Sequence, residues 1–230
     1  MVFLVKGTDM NRCFKATMAH IRRQAPFLDE IKGFMAEDEG AALYDLGREQ
    51  AGQGPCLEIG GYCGLSTVFL GLGVRERGGL LVSIDHHRGS EEHQPGQEYH
   101  DPDLYDRNLG CMDSLRAFRE TIRRAGLEGT VLPIVASSAL AAKAWTTPLA
   151  LVFIDGGHSR AAALQDYRSW APMVAPGGVL AIHDIFFDPE QGGQPPREIY
   201  DLALASGLFE AVELVNSLGI LRRIEFSGFR

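Results

Sequence analysis

The sequence has few cysteines and lacks both a long apolar run and a dense basic stretch. Its four cysteines form no C-x-x-C pair and no set with zinc-ligand spacing, which favours reduced thiols in a cytoplasmic protein. No stretch approaches ~20 consecutive apolar residues, so we expect no membrane-spanning helix. The cysteines are Cys13, Cys56, Cys63 and Cys111.

Basic residues are outnumbered by acidic ones, which limits the classes of partner. The chain has 22 Lys and Arg against 30 Asp and Glu, a formal net charge of -8. A protein that binds a phosphate backbone usually presents a basic patch. We therefore expect a small-molecule substrate, with neither nucleic acid nor a membrane as partner, and we leave a homo-oligomer open.

The pattern of apolar residues changes at about residue 50 and divides the chain in two. With 230 residues, of which 45% are hydrophobic, it can bury one full core. Residues 1–50 predict an N-terminal helical appendage, interrupted by Pro26. Residues 51–230 predict the main domain, because short apolar runs there alternate with helical stretches.

The apolar runs predict a sheet covered by helices. Near-continuous apolarity over such short runs is typical of strands buried on both faces of a parallel sheet. The predicted strands are 56–59, 80–84, 131–135, 149–154 and 179–182, and the predicted helices are 65–72, 112–125, 160–174 and 198–205. Pro176-Gly177-Gly178 is interpreted as the turn that ends the third of these helices.

The end of the chain predicts two more strands. Residues 209–215 and 218–224 flank Asn216-Ser217, and so short a connection favours an antiparallel hairpin. The fold class is therefore α/β: a doubly wound, mostly parallel, seven-stranded sheet closed by a C-terminal antiparallel hairpin. Residues 88–110 break the alternation. They are long, polar and rich in Gly, Pro and acids, so they are either a lid-like insertion, a binding loop, a second metal-binding feature or a solvated segment.

A glycine-rich loop follows the first predicted strand. The run Glu58-Ile59-Gly60-Gly61-Tyr62-Cys63-Gly64-Leu65-Ser66 fits E-x-G-x-x-x-G-x-S and does not fit the dinucleotide fingerprint G-x-G-x-x-G. With this pattern the sequence resembles the class I S-adenosylmethionine-dependent methyltransferases, which have a Rossmann-like fold. The resemblance implies a loop around the methionine half of the cofactor, formed by Glu58, Gly60, Gly61, Tyr62, Gly64 and Ser66.

Two further segments complete the cofactor site that the resemblance implies. Asp85 follows the second predicted strand, where the family's acid hydrogen-bonds both ribose hydroxyls, and His86 is its neighbour. Relatives often carry Gly-Asp-Ser after the third strand, where this chain has Ala136-Ser137-Ser138. Ser137 thus replaces the acid implied to contact adenine, and Ser138 keeps the hydroxyl. The alternative is that Glu58 caps a helix and Asp85 is an ordinary turn residue.

A second block follows the fourth and fifth predicted strands. It reads Ile154-Asp155-Gly156-Gly157-His158, then Pro176-Gly177-Gly178, then His183-Asp184. Over roughly residues 40–222 the chain resembles a subfamily that includes metal-dependent sugar and natural-product O-methyltransferases. The ends of adjacent parallel strands lie about 5 Å apart, so Asp155 could converge with the later pair.

The resemblance implies a divalent metal bound by Asp155, His183 and Asp184, with Asp155 also beside the cofactor. Relatives usually carry a carboxylate where His183 stands, so the ion is either Mg²⁺ or, because imidazole is a softer ligand, Mn²⁺, Fe²⁺ or Zn²⁺. His158 occupies the position of the family's general base. The alternatives are that His183 only packs or hydrogen-bonds at the strand end and that His158 caps the following helix.

These residues together predict an S-adenosylmethionine-dependent methyltransferase, with metal-assisted O-methylation of a small hydroxylated metabolite of secondary metabolism. Two other functions fit the same residues. A metal-dependent hydroxylase or hydrolase on this scaffold would keep Asp155 and Asp184, and a non-catalytic protein would bind the cofactor without turnover.

Overall fold

A seven-stranded sheet lies at the centre of the computed structural model, which describes residues 7–225. The first six residues of the predicted appendage and the last five of the predicted domain lie outside that range. The strands are β1 (Cys56–Ile59), β2 (Leu81–Asp85), β3 (Tyr105–Asp106), β4 (Cys111–Met112), β5 (Val131–Val135), β6 (Leu149–Ile154), β7 (Val174–Ile182), β8 (Phe209–Val215) and β9 (Leu218–Arg223).

The main sheet has the order β5-β2-β1-β6-β7-β9-β8. The first five of these strands pair in parallel, whereas β9 pairs antiparallel with both β7 and β8. The predicted fold class, with its closing hairpin, is confirmed. β1, β6 and most of β7 are buried on both faces, as the near-continuous apolarity of the predicted strands indicates. β5 is an edge strand, so one side of it has no neighbouring strand within the described residues. Pro133, which lacks a backbone N–H, is tolerated there.

Seven α-helices accompany the sheet in the described part of the chain. They are α1 (Gly7–Gln24), α2 (Glu37–Gln50), α3 (Leu65–Glu76), α4 (Leu115–Arg124), α5 (Ser138–Ala142), α6 (Arg160–Trp170) and α7 (Pro195–Ala205). The short helix α5 was not predicted. Its N-cap is Ser137, whose hydroxyl accepts a hydrogen bond from the backbone N–H of Leu140.

The predicted end of the third helix was wrong. Helix α6 ends at Trp170 and a 3₁₀ turn follows, because Pro172 has no N–H to continue the helical ladder. Strand β7 already begins at Val174, so Pro176, Gly177 and Gly178 lie within it. The pairing of β7 with β6 shifts register across this stretch.

Helix α2 packs into the same core as the sheet. Leu43, Tyr44 and Leu46 are buried in one cluster with Leu70 of α3 and Phe153 of β6. The N-terminal segment is therefore stabilised by packing against α3 and the sheet, and not by its own helical hydrogen bonds alone. The division of the chain at residue 50 stays a prediction.

The segment 88–110 is built of short elements. It has 3₁₀ turns at Glu91–His93 and Pro102–Leu104, followed by β3, which pairs antiparallel with β4 just after the segment. Lys32 fixes it to the N-terminal segment through ion pairs with Asp101 and Asp103. Its role as a lid stays a prediction. Among the described helices, none combines the length and apolarity that a membrane crossing needs.

Candidate functional site

A cavity of about 450 Å³ opens at the carboxyl ends of the parallel strands. It lies where β1 is flanked by β2 on one side and β6 on the other, the switch point at which open α/β sheets bind ligands. The volume is in the range of small-molecule sites. The predicted residues that line it are Gly60, Gly61, Tyr62, Ser66, Asp85, His86, Ser137, Ser138, Asp155, His158, His183 and Asp184.

The loop after β1 runs directly against the end of β6. Gly60 has a φ of 94°, and a Cβ atom there would lie 1.9 Å from the backbone oxygen of Asp155. Only glycine permits both the conformation and this approach. Gly64, also predicted for the cofactor site, is the N-cap of α3 and does not line the cavity.

Glu58 lies beneath the loop rather than at the cavity surface. Its side chain is completely buried and accepts hydrogen bonds from Ser66 Oγ (2.6 Å), Thr67 Oγ1 (2.6 Å) and Ser83 Oγ (2.7 Å). Burial raises the pKa of Glu58 to about 7, although these three donors favour the charged form. The carboxyl therefore ties β1, β2 and the start of α3 together and supports the loop from below.

Asp85 shapes the loop from the end of β2. Its Oδ2 accepts from the backbone N–H of Tyr62 at 2.8 Å, and its Oδ1 accepts from that of His87 at 2.7 Å. Each carboxylate oxygen can accept a second hydrogen bond, so both remain able to bind a diol. The adjacent His86 lines the cavity, whereas His87 is buried and bonds Ser114.

A buried acid that the sequence analysis missed lies beyond Ser137 and Ser138. Asp166 of α6 lines the cavity, and its Oδ1 accepts a hydrogen bond from the hydroxyl of Ser138. Burial raises the pKa of Asp166 to about 6. A signal was present in the sequence, because Asp166 stands at helical spacing between the buried Ala163 and Trp170.

Two acids and a histidine meet at the ends of β6 and β7. One ligand atom each from Asp155, His158 and Asp184 lie within 4.8 Å of one another. His158 Nε2 is 3.0 Å from Asp184 Oδ2, and His158 Nδ1 is 3.1 Å from Glu92 Oε2 in the segment 88–110. The hydrogen bond with Asp184, together with the nearby carboxylates, raises the pKa of His158 to about 9. His158 thus faces an acid at each ring nitrogen, and its role as general base stays a prediction.

His183 lies deeper than the other members of this cluster and is 5% exposed. Its Nε2 is 3.0 Å from Glu39 Oε2, and its Nδ1 is 3.3 Å from Asp155 Oδ1 and 3.4 Å from Asp184 Oδ2. Although burial opposes the charged form, these three carboxylates raise the pKa of His183 well above its usual value. Because His183 is buried behind the two acids and its Nε2 faces Glu39, it is placed to orient Asp155 and Asp184. The more exposed His158 is the imidazole whose nitrogen groups with the two carboxylates, so the geometry favours it as the ligand.

Glu39 reaches the site from α2 and was also missed. The carboxylate is buried, and Oε1 accepts hydrogen bonds from Ser217 N (2.8 Å) and Ser217 Oγ (2.6 Å). Oε2 accepts from Ala36 N (3.0 Å) and faces His183. The local pattern marks Glu39 only as a capping residue at the start of α2, because the partners that make it part of the site stand 144 and 178 positions away along the chain.

The fold and the cavity define a Rossmann-like α/β protein with a ligand site at its switch point. Residues 57–185, more than half of the chain, match a family described as a methyltransferase domain. The chain belongs to this family, and the predicted methyltransferase class is confirmed.

Solved structures of similar fold span nearly the whole chain. The SAH-bound methyltransferase PaMTH1 of Podospora anserina has a TM-score of 0.63 at 12% identity, covering 98% of this chain and 99% of its own. An O-methyltransferase of Bacillus cereus in complex with SAH has 0.58 at 19%, covering 97% and 94%. The O-methyltransferase TomG of Streptomyces achromogenes, in complex with SAM and involved in tomaymycin synthesis, has 0.58 at 16%, covering 90% and 89%.

Proposed function

We propose that the protein is an S-adenosylmethionine-dependent O-methyltransferase that methylates a hydroxyl group of a small metabolite. One observation carries the proposal. A single cavity joins the glycine loop and Asp85 to the cluster of Asp155, His158 and Asp184. The similar O-methyltransferases whose structures contain SAM or SAH add support.

The lining of the cavity fits the cofactor. The loop from Gly60 to Tyr62 offers backbone groups to the methionine half, and both oxygens of Asp85 can accept ribose hydroxyls. Ser137 and Ser138 offer hydroxyls at the far end. These residues hold the methyl donor in a fixed position, and orientation of this kind can be worth effective molarities of ~10⁵–10⁸ M.

The donor set of Asp155, His158 and Asp184 fits a divalent metal. Two carboxylates and one imidazole suit Mn²⁺ or Fe²⁺, and Mg²⁺ through the oxygen ligands. When bound, the ion would lower the pKa of a coordinated hydroxyl group of the acceptor. To act as ligand, His158 must give up its proton, which the nearby acids otherwise retain on it. We therefore assign His158 to the ligand set in place of the general-base role.

Aromatic side chains line one part of the cavity. Tyr62 is stacked on Phe34 with ring centroids 6.4 Å apart, and it lies 5.0 Å from the ring of His93. All three line the cavity. These rings give the cavity an apolar wall against which the carbon skeleton of an acceptor can pack.

The proposal is tested by following methyl transfer directly. The purified protein is incubated with S-adenosylmethionine carrying a labelled methyl group and with a panel of polyols and phenols, and products are read by mass spectrometry. We expect label in an ether product and formation of S-adenosylhomocysteine. Binding of S-adenosylhomocysteine without transfer to any acceptor would favour a non-catalytic binding protein, and absence of binding by calorimetry would overturn the proposal.

A further inference from the structure

Asp166 presents an unpaired carboxylate oxygen to the cavity. The residue is only 6% exposed, and within the described residues its one hydrogen-bond donor is the Ser138 hydroxyl, which binds Oδ1. Oδ2 has no donor in that range, although it borders the cavity. A Cβ on Gly156 would lie 2.6 Å from this oxygen, so the glycine leaves room for it. Within the described residues, Oδ2 is therefore an acceptor on the cavity wall that no protein donor occupies, and a donor on a ligand can reach it.

The position of Asp166 along the cavity identifies which part of the ligand it faces. The strand ends lie in the order β5, β2, β1, β6, β7. Asp155 and Asp184 follow β6 and β7, Asp85 ends β2 next to Val135 of β5, and the segment after β5 carries Ser138. A nucleoside whose ribose is held at Asp85, with its reacting end toward Asp155, extends its base toward Ser138 and Asp166.

The chemistry of Asp166 selects among bases. An ionised carboxylate accepts hydrogen bonds and donates none. The 6-amino group is the donor on the Watson–Crick edge of adenine, whereas a 6-oxopurine presents an acceptor at the same place. We propose that Asp166 Oδ2 accepts a hydrogen bond from the 6-amino group of the cofactor's adenine and so makes Asp166 a specificity-determining residue. This inference rests on the proposed function.

The test compares two ligands that differ at this one group. Binding of S-adenosylhomocysteine and of its 6-oxo analogue, S-inosylhomocysteine, is measured by titration calorimetry at pH 8, where Asp166 is ionised. The wild-type protein is expected to prefer the adenine ligand by about 10- to 100-fold, the usual range for a hydrogen bond to a charged group. Asp166→Asn can donate to the oxo group, so the preference should fall at least about 10-fold. The matched control Asp201→Asn, an exposed acid on α7, should keep the wild-type preference.

The outcomes separate this inference from the proposed function. The ratio of the two dissociation constants does not depend on the folded fraction. The comparison therefore remains valid even if Asp166→Asn is partly unfolded. An unchanged ratio in the variant overturns the inference. Equal binding of both ligands by the wild-type protein also overturns it, without need of any variant. If the wild-type protein binds neither ligand, the proposed function fails and the inference fails with it.

Discussion

At the scale of single residues, the site depends on carboxyl groups whose environments differ sharply. Glu58 is sealed beneath the loop with three hydroxyl donors, and burial keeps its pKa near 7. Although Asp184 is partly buried, its pKa lies well below the usual range, because His158 and His183 both face it. Glu58 is therefore suited to supporting the loop from below, and Asp184 to binding a cation.

The pH dependence of stability should report the burial of Glu58. A carboxyl whose pKa rises from 4.5 to about 7 on folding stabilises the folded protein at low pH, and this contribution is lost as pH rises through 7. Between pH 5.5 and 8.5 the loss is about 2 kcal/mol. Urea unfolding at both pH values should show a steeper decline for the wild-type protein than for Glu58→Gln. The exposed control Glu128→Gln should follow the wild type, and parallel declines for all three proteins would contradict the assignment.

The metal cluster gives a second prediction at this scale. Asp155→Asn, Asp184→Asn and His158→Gln should each weaken Mn²⁺ binding at least ~10-fold and abolish methyl transfer. Asn tolerates the left-handed backbone of residue 184, where φ is 60°, so that variant should stay folded. Calorimetry with Mn²⁺ measures the affinity, and Asp188→Asn, on the exposed segment before α7, is the control. Full activity in excess EDTA, with no ion found by elemental analysis, would rule out metal assistance.

At the scale of elements, helix α2 is part of the site as well as of the core. Its buried face packs on α3, and its first turn delivers Glu39 to His183 and to the turn between β8 and β9. The closing hairpin, the end of β7 and the N-terminal segment therefore meet at one carboxylate. The position of Asp155 and Asp184 depends on this contact, because His183 lies between them and Glu39.

Removing the charge of Glu39 should lower the free energy of unfolding of the protein. Glu39→Gln leaves the His183 imidazolium without its Nε2 carboxylate, and breaking a buried ion pair from one side costs ~3 kcal/mol. Glu37→Gln, two residues earlier in the same turn, is the control, since Glu37 is 55% exposed in its pair with Arg22 and should matter by less than ~1 kcal/mol. Urea unfolding of both variants measures the difference. Equal losses would show that the buried network contributes nothing beyond surface charge.

At the scale of the whole molecule, the sheet was predictable because its central strands are buried on both faces. The run 149–154 is apolar throughout for this reason. Asp85 ends the apolar run of β2 and Asp155 directly follows that of β6, so both acids were visible in the sequence. The start of β7 was not predictable, because Pro176-Gly177-Gly178 is typical of a turn. A parallel strand can hold these residues where its pairing shifts register.

The missed site residues share a different cause. Glu39, Glu92 and Asp166 lie in helical or 3₁₀ turns, outside the strand ends where motifs concentrate, and folding brings each to a partner far away in the chain. Single-sequence patterns report periodicity and local turns, whereas such contacts depend on tertiary packing. The predicted ligand His183 was replaced by His158 for the same reason, since the distant Glu39 draws Nε2 of His183 away from the cavity.

Ligand binding should stabilise the molecule as a whole through Asp85. A ligand at 100 times its dissociation constant stabilises the folded state by about 2.7 kcal/mol, which for a chain of this size raises the Tm by ~5–10 °C. S-adenosylhomocysteine should produce this shift in the wild-type protein. Asp85→Asn loses an acceptor for the ribose, so its affinity should fall by ~1.5–3 kcal/mol and the shift at the same concentration by half or more. Comparing each protein with and without ligand cancels any change in intrinsic stability. An undiminished shift in Asp85→Asn, matching that of Asp188→Asn, would mean that the ribose binds elsewhere.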